Sequence, residues 1–281
     1  MSYKFIFDNS VLDQSSIVKL QRSRLKELCL SGSLSFYMMP ILLEEFLHFI
    51  PKGKAPNKLK DILSFIRDLS WRRFYNTVKG PDGIYTMELE GRPASEYLFV
   101  PDRNLKQTLQ NFCQGGEFQE EDKNAVKEYN QNWKDRKGIN RKIFCEIRDN
   151  VKLQKNYTFQ NYLENKFEEN AIRKIMVSIS SAKPKEDLVN YWKSHEQLCP
   201  HFNKFVEGEM YVVWYAYQYK GVQAQDSPID TNAQDDVEYL VYLNNVDCIV
   251  SNDRYFMKKA SKELFPNKDC LSVDEFIEKI S

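Results

Sequence analysis

Residues 246–256, "VDCIVSNDRYF", are the stretch on which the fold turns. A short apolar run, Val246 to Val250, stops at Ser251-Asn252-Asp253 and passes directly into Arg254, Tyr255 and Phe256. A short apolar run closed by turn formers is the pattern of a strand buried on both faces, as in a parallel sheet. On this reading Tyr255 and Phe256 return the chain to the core. The N-terminal end repeats the pattern: "YKFIF", residues 3–7, is rich in β-formers and carries Asp8 at its C-terminal end. Open parallel sheets bind ligands outside the carboxyl ends of their strands. Two carboxylates, Asp8 and Asp253, can therefore meet in one site.

Working outward, apolar positions at Ile17, Leu20, Leu25 and Leu28 predict an amphipathic helix over 15–30, followed by a strand within 33–39. Pro40 opens a helix that runs to Ile50. Further helices are expected at 58–76, 103–113, 119–136, 140–154, 158–180, 185–195, 202–219 and 235–244. Residues 80–101 carry turn formers at both ends and read as a hairpin. A strand at 246–250, a helix near 254–264 and the terminal "LSVDEFIEKI", a strand leading into a helix, complete the pattern. Strand and helix alternate at both ends of the chain, which predicts an α/β fold with a parallel sheet. The expected organisation is one α/β domain split in sequence, residues 1–50 and 202–281, around a basic and mostly helical insert, residues 51–201.

The 281 residues carry 40 basic and 40 acidic side chains, yet the charge is uneven. Residues 51–206 hold 28 Lys and Arg against 21 Asp and Glu, a net of +7; the rest hold 12 against 19, a net of −7. Such an asymmetry speaks to partners rather than to fold. No run of about 18 apolar residues predicts a membrane span, and the expected location is the cytoplasm. The six cysteines form no CxxC pair and read as reduced structural residues. "HEQLCPH" brings His195, Cys199 and His201 together, and His48 is the only other histidine. Structural zinc takes four ligands in clear pairs, so this segment reads as a loop before a helix.

Two further acids complete a set of four. In "MPILLEEFLHFI", Glu44 and Glu45 flank the apolar stripe, with Glu45 one turn from both Leu42 and Phe49. In "DDVEYLVYL", Asp236 heads the stripe continued by Leu240 and Leu243, while Asp235 points elsewhere and suits a helix N-cap. Four converging carboxylates repel one another and call for a cation. Oxygen-only ligands suit Mg²⁺ or Mn²⁺, and the matching chemistry is phosphodiester hydrolysis.

The motifs "FIFDNSVL", "MMPILLEEF", "DDVEYLVYL" and "DCIVSNDRYF" resemble, in order and spacing, those of the PIN-domain nucleases. The resemblance covers about 1–50 and 202–281. It implies a parallel five-stranded α/β/α sandwich, with Asp8, Glu45, Asp236 and Asp253 as catalytic and metal-binding acids and Ser10 and Ser251 shaping the site. Glu44 and Asp235 are the one-residue alternatives, and Asp230, in the loop before the third acid, is a further candidate to approach the metals. Similar proteins cut RNA with Mg²⁺ or Mn²⁺, and many are toxins of toxin–antitoxin pairs, so an antitoxin or a second copy of the chain is an implied partner.

Small members of that family lack an insert of this size. Its basic clusters are the expected substrate contacts: Lys134, Arg136, Lys137, Arg141 and Lys142 beside Trp133, and Arg72 and Arg73 among the aromatics of "WRRFY". Two other readings remain open. One is a structure-selective DNA nuclease of the related flap-endonuclease type. The other is a non-catalytic module that binds RNA or protein.

Overall fold

The structure, a computed structural model, describes residues 2–39, 42, 56–69, 76–78, 80–92, 99–101, 124, 127–128, 131, 134–135, 158–166, 181–219 and 232–281. In chain order the elements are β1 (Tyr3–Phe7), α1 (Gln14–Arg22), α2 (Leu25–Ser31), β2 (Leu34–Phe36), α3 (Pro56–Leu69), β3 (Asn76–Val78), α4 (Pro81–Leu89), β4 (Phe99–Pro101) and α5 (Phe159–Lys166). They continue with α6 (Lys185–Ser194), α7 (Pro200–Tyr219), α8 (Asn232–Val241), β5 (Cys248–Val250), α9 (Phe256–Leu264), β6 (Asp269–Leu271) and α10 (Val273–Ile280).

A mixed α/β fold results. Among the described residues its main sheet has four strands in the order β2-β1-β5-β6, every pair parallel. The side-chain period of two sends Phe5 and Phe7 of β1 to one face and Ile6 to the other. Cys248 and Val250 of β5 follow the phenylalanines, and Ile249 follows Ile6. Both faces are covered, which explains why these strands are continuous apolar runs rather than alternating ones. On the first face Phe5 meets Phe36 at 5.5 Å and Phe276 at 5.0 Å between ring centroids, beneath α1, α2, α3 and α10. The other face lies under α4, α6, α7, α8 and α9. Each fully buried ring or aliphatic side chain contributes about 1.5–3 kcal/mol. Helices drawn from residues 51–201 thus pack into the same two clusters as the flanking segments: α3 on one face, α4, α5 and α6 in the other cluster.

Two expectations are corrected. The helix at 15–30 is two helices. Ser23 is extended, its hydroxyl donates to the Leu20 carbonyl at 2.7 Å, and it accepts from the Leu25 amide at 3.2 Å. A serine that bonds its own backbone in this way competes with the helix ladder. The hairpin at 80–101 is instead the helix α4, with Pro81 at its first position and Gly91 at φ +80° beyond its end. Proline at N1 and a left-handed glycine after the last turn are start and stop signals. The turn formers were read as a strand connection when they punctuate a helix. The flanking strands β3 and β4 do pair, antiparallel, from Asn76–Pro101 to Val78–Phe99.

α7 and α8 pack closely at Gly208, where an added Cβ would stand 2.4 Å from a Val237 methyl. Val237 is fully buried and branched, so it has little room to turn aside. Gly208→Ala is expected to lose up to about 2 kcal/mol net, overpacking of about 1–3 kcal/mol set against a helix-propensity gain of about 1 kcal/mol. Urea denaturation measures it; a stabilised variant would refute the close approach. Among the described residues no helix is long and apolar enough to cross a membrane.

Candidate active site at the carboxyl edge of the sheet

Strand order reverses between β1 and β5: β1 continues to β2 on one side, and β5 to β6 on the other. That is the topological switch point, where open α/β sheets leave a crevice beyond the strand ends. Phe7 and Val250 are the last partners of the pair, and the Asp8 amide continues the ladder to the Val250 carbonyl at 3.0 Å. Asp8 and Ser251 are therefore side by side, although 243 positions separate them in the chain.

Asp8 is buried, and its Oδ2 accepts the Ser10 hydroxyl at 2.5 Å and the Ser251 hydroxyl at 2.7 Å. The direction of both donors is settled by the backbone. The Asn252 amide donates to Ser10 Oγ at 2.9 Å, and the Asp253 amide donates to Ser251 Oγ at 3.1 Å. Each serine hydroxyl thus accepts a hydrogen bond from the main chain and donates one to Asp8. Burial pushes the Asp8 carboxyl above the usual carboxylate range, and the bonds from Ser10 and Ser251 pull against that shift. No Lys or Arg pairs with Asp8 among the described residues.

Asn252 ties the edge together. Its Nδ2 donates to the Ser10 carbonyl at 3.2 Å and to Ser16 Oγ at 3.1 Å, and its Oδ1 accepts from the Val273 amide at 3.3 Å. Asp253 Oδ1 accepts from the amides of Tyr255 at 2.6 Å and Phe256 at 3.0 Å, so this acid also caps α9. Its Oδ2 accepts no hydrogen bond among the described residues.

The other sequence-predicted residues fall differently. Asp236 is partly buried on α8. Asp235 is not an N-cap: α8 begins three residues earlier, at Asn232, and Asp235 stands in its first turn. Glu44, Glu45 and Asp230 lie outside the described residues, as do Arg72, Arg73, Arg136, Lys137, Arg141 and Lys142. Lys134 is exposed on a helical segment. Among the described residues no three His, Cys, Asp or Glu side chains are grouped to hold a metal ion. The edge joins Asp8 and Asp253 through Ser251, and Asp236 is not gathered with them into such a group. The donors at the edge are nonetheless carboxylate and hydroxyl oxygens, which fit a hard divalent cation. Nearby Cys270 is held as a neutral thiol, its pKa pushed up to about 12 chiefly by burial.

Of the histidine-rich segment, Cys199 and His201 serve the core, while His195 is exposed. His201 is buried with Nδ1 at 2.6 Å from Glu88 Oε1 and Nε2 against Asn245 Oδ1, so both ring nitrogens are engaged. Cys199 is buried, and His195 stacks on Tyr191 at 4.4 Å. Tyr255 corrects the sequence reading more sharply. It is 73% exposed, and only Phe256 returns to the core. The signal was present in the α9 pattern: Phe256, Met257, Ala260 and Leu264 form the buried stripe, and Tyr255 falls off it, toward Lys258 and Lys262. Asn252 had no such signal, because its partners are remote in sequence.

No protein-family model, no curated protein and no solved structure matches this chain.

Proposed function

We propose that the protein is a PIN-like, Mg²⁺- or Mn²⁺-dependent ribonuclease, with a discontinuous catalytic domain and a basic insert that helps to bind substrate. The observation that carries the proposal is the meeting of Asp8 with the Ser251–Asp253 loop at the point where the parallel strand order reverses. A buried carboxylate held by two hydroxyls and no cationic side chain is poised to receive a cation. In this reading Asp8, Asp236 and Asp253 hold the metal together with Glu45, and a fifth strand completes the sandwich. When bound, the cation lowers the pKa of an attacking water and neutralises charge on the phosphate. The chain's own part is orientation. Ser10 and Ser251 orient the Asp8 carboxylate, and the backbone amides of Asn252 and Asp253 hold Ser10 and Ser251 in turn.

The test is cleavage. Purified protein with Mn²⁺ is expected to cut single-stranded RNA, with a matched DNA arm separating a flap-type nuclease from a ribonuclease. Asp236→Asn is expected to lower the rate about a hundredfold or more, in a variant whose melting curve shows it to be folded at the assay temperature. Full activity in that variant would remove Asp236 from the site. Absence of both cutting and calorimetric Mn²⁺ binding near millimolar concentration would favour a non-catalytic binding module.

A further inference from the structure

We infer that the Arg254–Tyr255 turn is a nucleotide clamp for single-stranded nucleic acid, Tyr255 stacking one base and Arg254 holding the adjoining phosphate. The inference deepens the nuclease reading and rests on it for the position of the cut phosphate. Three large apolar or aromatic side chains are exposed among the described residues: Leu30, Leu198 and Tyr255. Tyr255 is the most exposed of them, at 73%, and it stands two residues beyond Asp253 at the carboxyl edge of the sheet. Its main chain is tied to the edge, because its amide donates to Asp253 Oδ1 at 2.6 Å. An aromatic ring exposed to water on this turn gains little from burial; it retains two flat faces on which any base can stack.

The neighbouring cations match. Arg254 is exposed and makes no hydrogen bond or ion pair among the described residues. Lys258 and Lys262 follow at helical spacing on the exposed side of α9. Lys258 reaches Glu275 at 2.6 Å, with both side chains nearly half exposed, a surface pair that a phosphate can exchange for little cost. The turn thus presents a ring face, a guanidinium and a short line of ammonium groups, beginning at the rim of the candidate site. That is the pattern of sequence-tolerant single-strand binding, in which aromatic rings take bases and cations follow the backbone. A duplex hides its base faces and offers the ring nothing.

Binding is measured on the full chain in EDTA, by anisotropy of a labelled single-stranded oligouridylate, its oligodeoxythymidylate counterpart and a duplex. Cleavage with Mn²⁺ is assayed in parallel. Tyr255→Ala is expected to weaken binding of both single strands about tenfold, with Tyr255→Phe close to the parent and Tyr255→Leu as weak as alanine. Arg254→Ala is expected to weaken binding and to reduce the salt slope by about one. Parent-like binding by Tyr255→Ala, no measurable single-strand binding by the parent, or a loss confined to the duplex overturns the clamp. If the parent cuts RNA and Tyr255→Ala binds normally, the clamp falls and the nuclease reading stands. If Tyr255→Ala loses binding and nothing is cut, the clamp stands and the nuclease reading falls.

Discussion

Asp8→Asn is expected to abolish metal-dependent cleavage while making the metal-free protein more stable. The two effects have one origin. Burial raises the Asp8 carboxyl above its unfolded value, so between the two values the native state binds more protons than the unfolded chain. Stability is then fully present below the ordinary aspartate range and is lost as pH rises through the raised native value. At neutral pH the wild type carries that loss and the asparagine variant does not. An amide oxygen can still accept the hydroxyls of Ser10 and Ser251, which reach Asp8 at a single oxygen. The expected gain is on the order of 1 kcal/mol, roughly 2–4 °C in Tm for a chain of this size. It should shrink toward zero as the pH is lowered past the carboxylate range. Added Mn²⁺ should raise the Tm of the wild type and leave the variant unmoved. A variant that melts lower at pH 7, or that still responds to Mn²⁺, contradicts the assignment of Asp8.

The largest loss of stability is expected at Glu88, a residue far from the proposed chemistry. Its carboxylate is almost wholly buried and does three things at once. It accepts His201 Nδ1 at 2.6 Å, the His201 amide at 3.2 Å and the Phe202 amide at 2.9 Å. The last two belong to the first turn of α7, whose leading amides have no partner within the helix. Glu88→Ala strands all three donors inside the core, at a cost of about 3–5 kcal/mol. Glu88→Gln retains an acceptor oxygen for one amide and should lose distinctly less. Urea unfolding compares them, and a loss under about 1 kcal/mol for the alanine variant would show that the network relaxes or hydrates.

Sequence periodicity found the strands because both faces of the sheet are buried, leaving Phe5, Ile6, Phe7 and Cys248–Val250 unbroken by polar residues. It found Asp8 and Asp253 for the same reason, as each is the polar stop after such a run. It misread what local pattern cannot carry. Ser23 breaks a helix through its own hydroxyl, although the apolar spacing continues across it. Pro81 and Gly91 punctuate a helix as readily as a hairpin. Its aromatic character suggests that Tyr255 returns to the core with Phe256, whereas the α9 stripe leaves it outside. The bond between Glu88 and His201 spans 113 positions, and no window of the sequence joins them. The same holds for the hold of Asn252 on Ser10, Ser16 and Val273.

The central pair of the sheet joins β1 to β5, two strands about 240 residues apart in the chain. At about 5–20 residues per second, roughly 240 residues of synthesis, some 12–50 s, separate Asp8 from Ser251. Contacts of such long range close late and slowly. Throughout that interval β1 lacks its β5 neighbour, and the carboxylate at its end lacks the second hydroxyl that fixes it. A ribosome carrying this chain thus holds an unfinished edge until β5 emerges, so any nuclease seated there switches on only after β5 has joined β1. Truncation before Val246 removes the site by topology, with every residue of the first 245 intact.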